Sequence, residues 1–151
     1  MNTKENLKIS IVGIGNGGCN IISHLTNKNF NQVELIAIDI NLQLFNEIKS
    51  VKQFEIKKSL DLGLNSILEN DSSSENLRNI KDNLKEKDVV FIVSTLGGET
   101  GIYVPSMVAE ISREVCPIVI SIVTTPFNWE GKKRVLRRIH LATQTHKHLA
   151  S

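Results

Sequence analysis

The stretch that decides the fold is Val89-Val90-Phe91-Ile92-Val93-Ser94, which runs directly into Thr95-Leu96-Gly97-Gly98-Glu99-Thr100-Gly101. The first part is an unbroken apolar run ending in one serine, typical of a parallel strand that is covered on both faces. The second part is a glycine-rich turn at the end of that strand, where exposed backbone N–H groups can bind phosphate. Glu99 places a carboxylate inside this turn, where it repels an anion. The stretch therefore predicts a phosphate-binding turn that contains one residue, Glu99, whose negative charge weakens phosphate binding.

A second strand followed by a glycine-rich turn lies near the start of the chain. The residues 8–12 predict a strand, Gly13-Ile14-Gly15-Asn16-Gly17-Gly18 forms the turn, and a helix is expected from Cys19 to Leu25. The run 33–38 predicts another strand, which ends at Asp39. Because the first turn follows a strand and opens a helix, its backbone N–H groups and the helix dipole suit a nucleotide phosphate.

The rest of the chain continues the alternation of strands and helices. We expect a short helix over 41–49, a polar edge strand over 54–56 and an irregular segment over 57–76 that is most flexible at 70–74. A helix capped by Ser74 or Asn76 should follow and run to about Lys87. The last three expected elements are a helix over 105–115, an apolar strand over 118–123 and a helix from Trp129 to the end. Strands that alternate with helices require right-handed crossovers. We therefore predict an α/β fold with a doubly wound parallel sheet of about five strands.

Composition and charge narrow the class of protein. The chain has 151 residues, enough for one domain with a sizeable core, and a formal net charge of +2. A net charge this small does not indicate binding to nucleic acid or to an acidic membrane. No apolar run is long enough to span a bilayer. The histidines near the end have no cysteine close by, so a metal site is not expected. The polar start does not resemble a signal peptide, and we expect a cytoplasmic protein.

Three segments, in this order and spacing, resemble the bacterial tubulin-like cell-division GTPase family FtsZ. They are Ile11-Val12-Gly13-Ile14-Gly15-Asn16-Gly17-Gly18-Cys19-Asn20, then Gly97-Gly98-Glu99-Thr100-Gly101, then Val123-Thr124-Thr125-Pro126-Phe127-Asn128-Trp129-Glu130-Gly131-Lys132-Lys133-Arg134. A single glycine turn would be weak support, but the Pro-Phe-x-x-Glu-Gly-x-x-Arg pattern of the third segment is specific. The resemblance covers nearly all of this chain and only the first part of the family's length.

The resemblance implies a ligand, a site and a strand order. It implies GTP or GDP as the ligand and leaves open whether a Mg²⁺ ion binds together with the nucleotide. The strand order that it implies is 3-2-1-4-5. It also implies that the nucleotide is bound by a set of residues from all three segments: Asn16, Gly17, Gly18, Cys19, Asn20, Gly97, Gly98, Thr100, Gly101, Glu130 and Arg134.

Each of these motifs also has a plain structural interpretation. The first turn could need glycine only for packing a helix on the sheet, although its length favours binding. Glu130 and Arg134 lie i, i+4 on one helix and could form a surface ion pair worth a few tenths of a kcal/mol. The basic run 132–138 is better explained as a solvated helix face than as a nucleic-acid surface.

Three positions of the second turn depart from the family pattern: Glu99, Ile102 and Tyr103. A carboxylate at about 5 Å from one phosphate charge, at an effective dielectric constant of about 20, costs about 3 kcal/mol. Glu99 could point to solvent or help hold Mg²⁺, but we favour degeneration of the site. The family's third loop corresponds to residues 63–70, which have lost most glycines, so discrimination of a triphosphate should suffer more than binding of a diphosphate.

The resemblance also implies that several elements of the family are lacking in this sequence. We expect residues 1–151 to form a partial GTP-binding domain in which the family's central helix, its catalytic loop and its C-terminal domain are absent. Enzymatic activity is left open, and we expect weak or no hydrolysis and no catalytic residue in this chain.

Two functions from different classes follow from these motifs. One is guanine-nucleotide binding in cell division. The other is a non-enzymatic interaction protein that docks on the full-length division protein through the nucleotide-side face of this chain and caps or regulates its filaments. Self-association through the exposed apolar sheet edge at 118–123 is left open as a further contact. A third interpretation is that the chain is a decayed gene product without function. Such a chain should fold poorly and show a non-cooperative thermal melt.

Overall fold

The structure is a computed structural model that describes residues 6–30, 32–40, 51–56, 71–98 and 100–125. Within these ranges the chain forms five strands and three helices. They are β1 (Ile9–Ile14), α1 (Gly15–Thr26), β2 (Val33–Asp39), β3 (Lys52–Glu55), α2 (Asp71–Leu84), β4 (Val89–Thr95), α3 (Thr100–Arg113) and β5 (Ile118–Thr124). The helices predicted over 41–49 and from Trp129 onward lie outside the described residues.

The strands form one sheet in the order β3-β2-β1-β4-β5. Every neighbouring pair is parallel, and β1 lies between β2 and β4, with Ile9 in register with Val33 on one side and Val89 on the other. The predicted fold class and strand order are therefore confirmed. The chain moves one way across the sheet from β1 to β3 and the opposite way from β4 to β5, so right-handed crossovers place α1 and α3 on opposite faces.

Apolar residues of α2, α3 and the central strands fill the main core. The predicted inward stripe of α2 is confirmed, since Leu77, Ile80 and Leu84 are all buried. In α3, Val108 is buried and Ile111 packs at the border of the same cluster, as does Val115, which follows the helix end at Arg113. These contacts fix α2 and α3 against the sheet and thereby hold the ends of the strands in place.

The start of α2 differs from the prediction. We expected an irregular chain through residue 76 with a cap at Ser74 or Asn76, but the helix begins at Asp71 and both residues lie within it. Aspartate and serine are favoured in the first turn of a helix, so this polar patch can open one. The helix ends at Leu84, before the predicted Lys87, and Glu86 adopts a left-handed φ of 64° just after it.

Helix α3 also begins earlier than predicted. We placed its start at Pro105, but the first helical residue is Thr100 and Pro105 lies inside the helix. A proline at this position removes one backbone hydrogen bond. Burial of Ile102 and Val104 in the turn before it favours the helical conformation nonetheless. The early start brings the helix N-terminus to the glycine turn, where it matters for the site.

Strand β5 lies at the sheet edge, as predicted, and pairs with β4. Val119 and Val123 pack inward, whereas Ile118, Ile120 and Ile122 are 50%, 41% and 48% exposed. Because side chains alternate along a strand, these three isoleucines lie on the opposite face. In the part of the chain that the structure describes, no helix is long and apolar enough to cross a bilayer.

Candidate functional site

The candidate site lies where the strand order reverses. In an open parallel sheet, ligands bind beyond the carboxyl ends of the strands at the point where crossovers leave in opposite directions. Here that point is between β1 and β4. The first glycine segment, predicted as a turn over 13–18 before a helix that begins at Cys19, instead forms the end of β1 and the first turn of α1, which begins at Gly15. The second glycine turn lies between β4 and the start of α3. Both glycine turns therefore meet at this edge.

A cleft of about 620 Å³ opens between the two turns. Seven of the predicted site residues line it: Asn16, Gly17, Asn20, Gly97, Gly98, Thr100 and Gly101. Gly15, Asp39, Ile40 and Thr95 complete the lining. The sequence prediction thus identified most of the wall of one cavity from two segments that are about eighty residues apart in the chain.

Two helix N-termini border the cleft. Helix α1 starts at Gly15 and α3 starts at Thr100, and both of these residues line the cavity. No side chain caps α1, because the preceding residue is Ile14. The first-turn N–H groups of a helix have no partner within the helix and carry its positive dipole end. The arrangement therefore offers backbone donors to an anion.

Close packing of the two turns explains three of the glycines. Gly15 has a φ of 72°, a conformation that suits glycine. A β-carbon at Gly17 would lie 2.3 Å from Thr95 Oγ1, and one at Gly101 would lie 2.0 Å from the Thr95 carbonyl oxygen. Thr95 thus packs against the start of both helices. Gly17 allows α1 to approach Thr95 closely, and Gly101 allows α3 to begin close to the end of β4.

Gly97 and Gly98 are different, because packing does not require them. Among the described residues, the nearest atom to a β-carbon at Gly97 would be Thr95 Oγ1 at 3.8 Å, and a β-carbon at Gly98 would meet no atom within 4 Å. Neither residue has a positive φ. Two glycines on a cavity wall with neither a steric nor a conformational need leave room for a group that approaches the backbone closely.

Gly18 and Cys19 lie behind the cleft rather than on its wall. A β-carbon at Gly18 would lie 2.5 Å from the Val93 carbonyl oxygen. Cys19 is buried, and its thiol donates weak hydrogen bonds to the carbonyl oxygens of Gly13 and Ile38. Burial and then the negative charge of Asp39 raise the pKa of the Cys19 thiol to about 12. This thiol is therefore neutral and unreactive at ordinary pH.

Sequence reasoning missed Asp39 as a site residue. It ends β2, is 6% exposed, and its Oδ1 accepts a 2.7 Å hydrogen bond from the Ile40 N–H. Burial raises the pKa of its carboxyl group, and the hydrogen bonds from Ile40 and from the Thr100 hydroxyl partly oppose that shift. The signal was available, since a polar residue directly after a parallel strand lies at the ligand-binding edge.

Four segments of the prediction lie outside the described residues. They are Glu99, the third loop over 63–70, Glu130 and Arg134. Their part in the site stays a prediction.

A comparison with protein families matches residues 8–150 to the Tubulin/FtsZ family, GTPase domain. The chain belongs to the Tubulin/FtsZ family. Among curated relatives of this tubulin-like chain, the cell division protein FtsZ of Buchnera aphidicola subsp. Baizongia pistaciae is 34% identical over 136 residues, covering 87% of this chain and 35% of that protein. The cell division protein FtsZ of Buchnera aphidicola subsp. Schizaphis graminum is 33% identical over 151 residues, covering 97% and 39%.

Solved structures agree with the family assignment. The tubulin-like chain is similar to an FtsZ dimer, empty, from M. jannaschii, with a TM-score of 0.74, 31% identity, and coverage of 95% of this chain and 44% of that one. The fold also matches CetZ1 from Haloferax volcanii, a GDP-bound monomer, with a TM-score of 0.67, 19% identity, and coverage of 92% and 47%. The chain therefore spans less than half the length of each of these relatives.

Proposed function

We propose that this chain binds a guanine nucleotide, GDP or GTP, in the cleft between the two glycine turns, as part of a tubulin-like cell-division protein. Family membership gives the ligand class. The cleft gives the physical reason, since it is bordered by the N-termini of α1 and α3. We propose binding with little or no hydrolysis by this stretch of chain.

The observation that carries the proposal is the open space beside Gly97 and Gly98. Glycine loses more conformational entropy on folding than any other residue, so a glycine that packing does not require needs another explanation. Both residues line the cleft, and neither is held in place by close packing. A phosphate that contacts the backbone at these positions explains why side chains are absent from this part of the wall.

Substitution of Gly98 by alanine tests this explanation directly. A β-carbon at this position meets no atom of the described residues within 4 Å, so the thermal midpoint should stay the same. The added methyl group narrows the cleft wall, and GDP affinity should fall about tenfold. The measurement is a titration with fluorescently labelled GDP and GTP, with a melt of each variant as the control for folding.

Two outcomes of this titration would count against the proposal. If the natural chain binds neither nucleotide at high micromolar concentration, it fails outright. If Gly98→Ala binds GDP as tightly as the natural chain, the nucleotide does not contact the second turn, and the site has been placed wrongly.

The exposed face of β5 favours a second function. Ile118, Ile120 and Ile122 lie on one side of an edge strand and are each 41–50% exposed. We propose as the alternative that this surface docks on a full-length division protein and caps or regulates its filaments. An apolar edge strand is suited to pairing with another chain.

Sedimentation of full-length filaments with and without this chain tests the alternative. We expect the pelleted polymer mass to fall as the chain is added. Ile120→Lys should abolish that effect, because a lysine on an edge strand opposes pairing while solvent accommodates the charge. A polymer mass that does not change with the natural chain would rule out capping.

A further inference from the structure

Asp39 is the one charged residue among the described residues that line the cleft. The other lining residues are glycine, asparagine, threonine and isoleucine. A site built to hold several phosphate charges normally supplies cationic side chains as well as backbone donors. Here the described wall supplies neutral donors, from the backbone and from asparagine and threonine side chains, and one carboxylate. The charge balance of this wall is therefore unfavourable to an anion.

The carboxylate of Asp39 is held in place at the start of α3. The Thr100 hydroxyl donates a hydrogen bond to it from the first residue of the helix. The Ile40 N–H donates a second one, at 2.7 Å. Asp39 is 6% exposed and therefore cannot turn away into solvent. In the part of the chain that the structure describes, no lysine or arginine forms an ion pair with it.

This position overlaps with the place that suits a phosphate. A helix N-terminus and a threonine hydroxyl at its first residue are the donors that phosphate groups bind. Asp39 already takes the hydroxyl of Thr100. Its negative charge also acts on the cleft's inner wall, where it adds to the raised pKa of Cys19. An incoming phosphate must therefore compete with a fixed carboxylate for the Thr100 hydroxyl and is repelled by its charge.

We infer that Asp39 is a specificity-determining residue of this cleft, whose carboxylate penalises each negative charge on the ligand and so favours nucleotides with fewer phosphates. The inference rests on the proposed nucleotide binding and adds the charge preference of that site. Asp39 acts through its charge at close range and takes no part in a chemical step.

A purely structural role for Asp39 makes a different prediction. If the residue only ties the end of β2 to the start of α3, every ligand of the cleft should respond alike to its replacement. Asparagine keeps the size of the side chain and an oxygen that can accept from the Ile40 N–H, and its amide group can still hydrogen-bond the Thr100 hydroxyl. Asp39→Asn therefore removes the charge with little change in shape.

The test compares guanosine, GMP and GDP as competitors of labelled GDP on the natural chain and on Asp39→Asn. We expect the variant to bind GDP about tenfold more tightly, GMP with a smaller gain, and guanosine unchanged. Glu110→Gln is the matched control, because Glu110 is exposed and lies ten residues along α3 from Thr100, about 15 Å away. The control removes the same charge far from the cleft and should leave all three affinities unchanged.

Each result separates the inference from the proposed function. Equal gains for guanosine and GDP, or no gain for either, overturn the inference while nucleotide binding stands. Binding of GDP by Asp39→Asn but not by the natural chain supports the inference. If no protein binds GDP, both fail together. Should Asp39→Asn not melt cooperatively, Asp39→Ser removes the same charge with a smaller side chain, and the same ranking of the three ligands is expected.

Discussion

A variant in which glycine replaces Glu99 is expected to bind GDP about a hundredfold more tightly than the natural chain. Glu99 follows Gly98 and precedes Thr100, which both line the cleft. A carboxylate at about 5 Å from a phosphate charge, at an effective dielectric constant of about 20, costs about 3 kcal/mol. This corresponds to a factor of at least about one hundred in affinity. The measurement is the labelled-GDP titration at low ionic strength.

Glu99→Gln is the control that separates charge from backbone freedom. Glutamine removes the charge and keeps the size of the side chain, so it should recover most of the gain seen with glycine. Increasing salt should reduce the difference between the natural chain and either variant, because salt screens exposed charges. If both variants bind GDP more weakly when Mg²⁺ is present, Glu99 helps to hold a metal ion, and our interpretation of it as an obstacle is wrong.

Gly101→Ala is expected to lower the free energy of unfolding by about 3 kcal/mol. The new β-carbon would lie 2.0 Å from the carbonyl oxygen of Thr95. That oxygen belongs to backbone that cannot move freely, because β4 pairs with both β1 and β5. Alanine would otherwise favour the helix by about 1 kcal/mol. The overlap with fixed backbone outweighs this gain, since forcing extra atoms into a packed interior costs more.

Urea denaturation of Gly101→Ala beside Gly98→Ala measures this effect. The two substitutions add the same methyl group to the same turn, three residues apart, but a β-carbon at Gly98 meets no atom of the described residues within 4 Å. We expect a lower midpoint for Gly101→Ala and an unchanged one for Gly98→Ala. Coincident unfolding curves for the two variants would show that the turns are not packed against Thr95 as described.

Local patterns carried most of the fold prediction. The apolar run 89–93 and the glycines after it identified β4 and its turn, and the spacing of Leu77, Ile80 and Leu84 identified the buried face of α2. These patterns work because a buried strand or helix face must be apolar at a fixed period. Helix starts were less well predicted, because Asp71 and Thr100 are set by contacts that the periodicity does not contain.

Part of the wall of the cleft could be identified for the same reason. The glycine turns are continuous in sequence, so Asn16, Gly17, Gly97 and Gly98 could be recognised together with the strands that precede them. Asp39 could not be recognised this way, because it belongs to neither turn. It reaches the cleft only because β2 pairs with β1 in parallel, which places the ends of the two strands side by side.

The sequence by itself determined the alternation of strands and helices, the two glycine turns and the family to which they belong, since each depends on residues that are close together in the chain. Only the tertiary structure decided which glycines are needed for packing and which face open space, and that a buried carboxylate shares the cleft with the helix N-termini. These features depend on distances between segments far apart in the chain, and only the parallel pairing of the strands sets those distances.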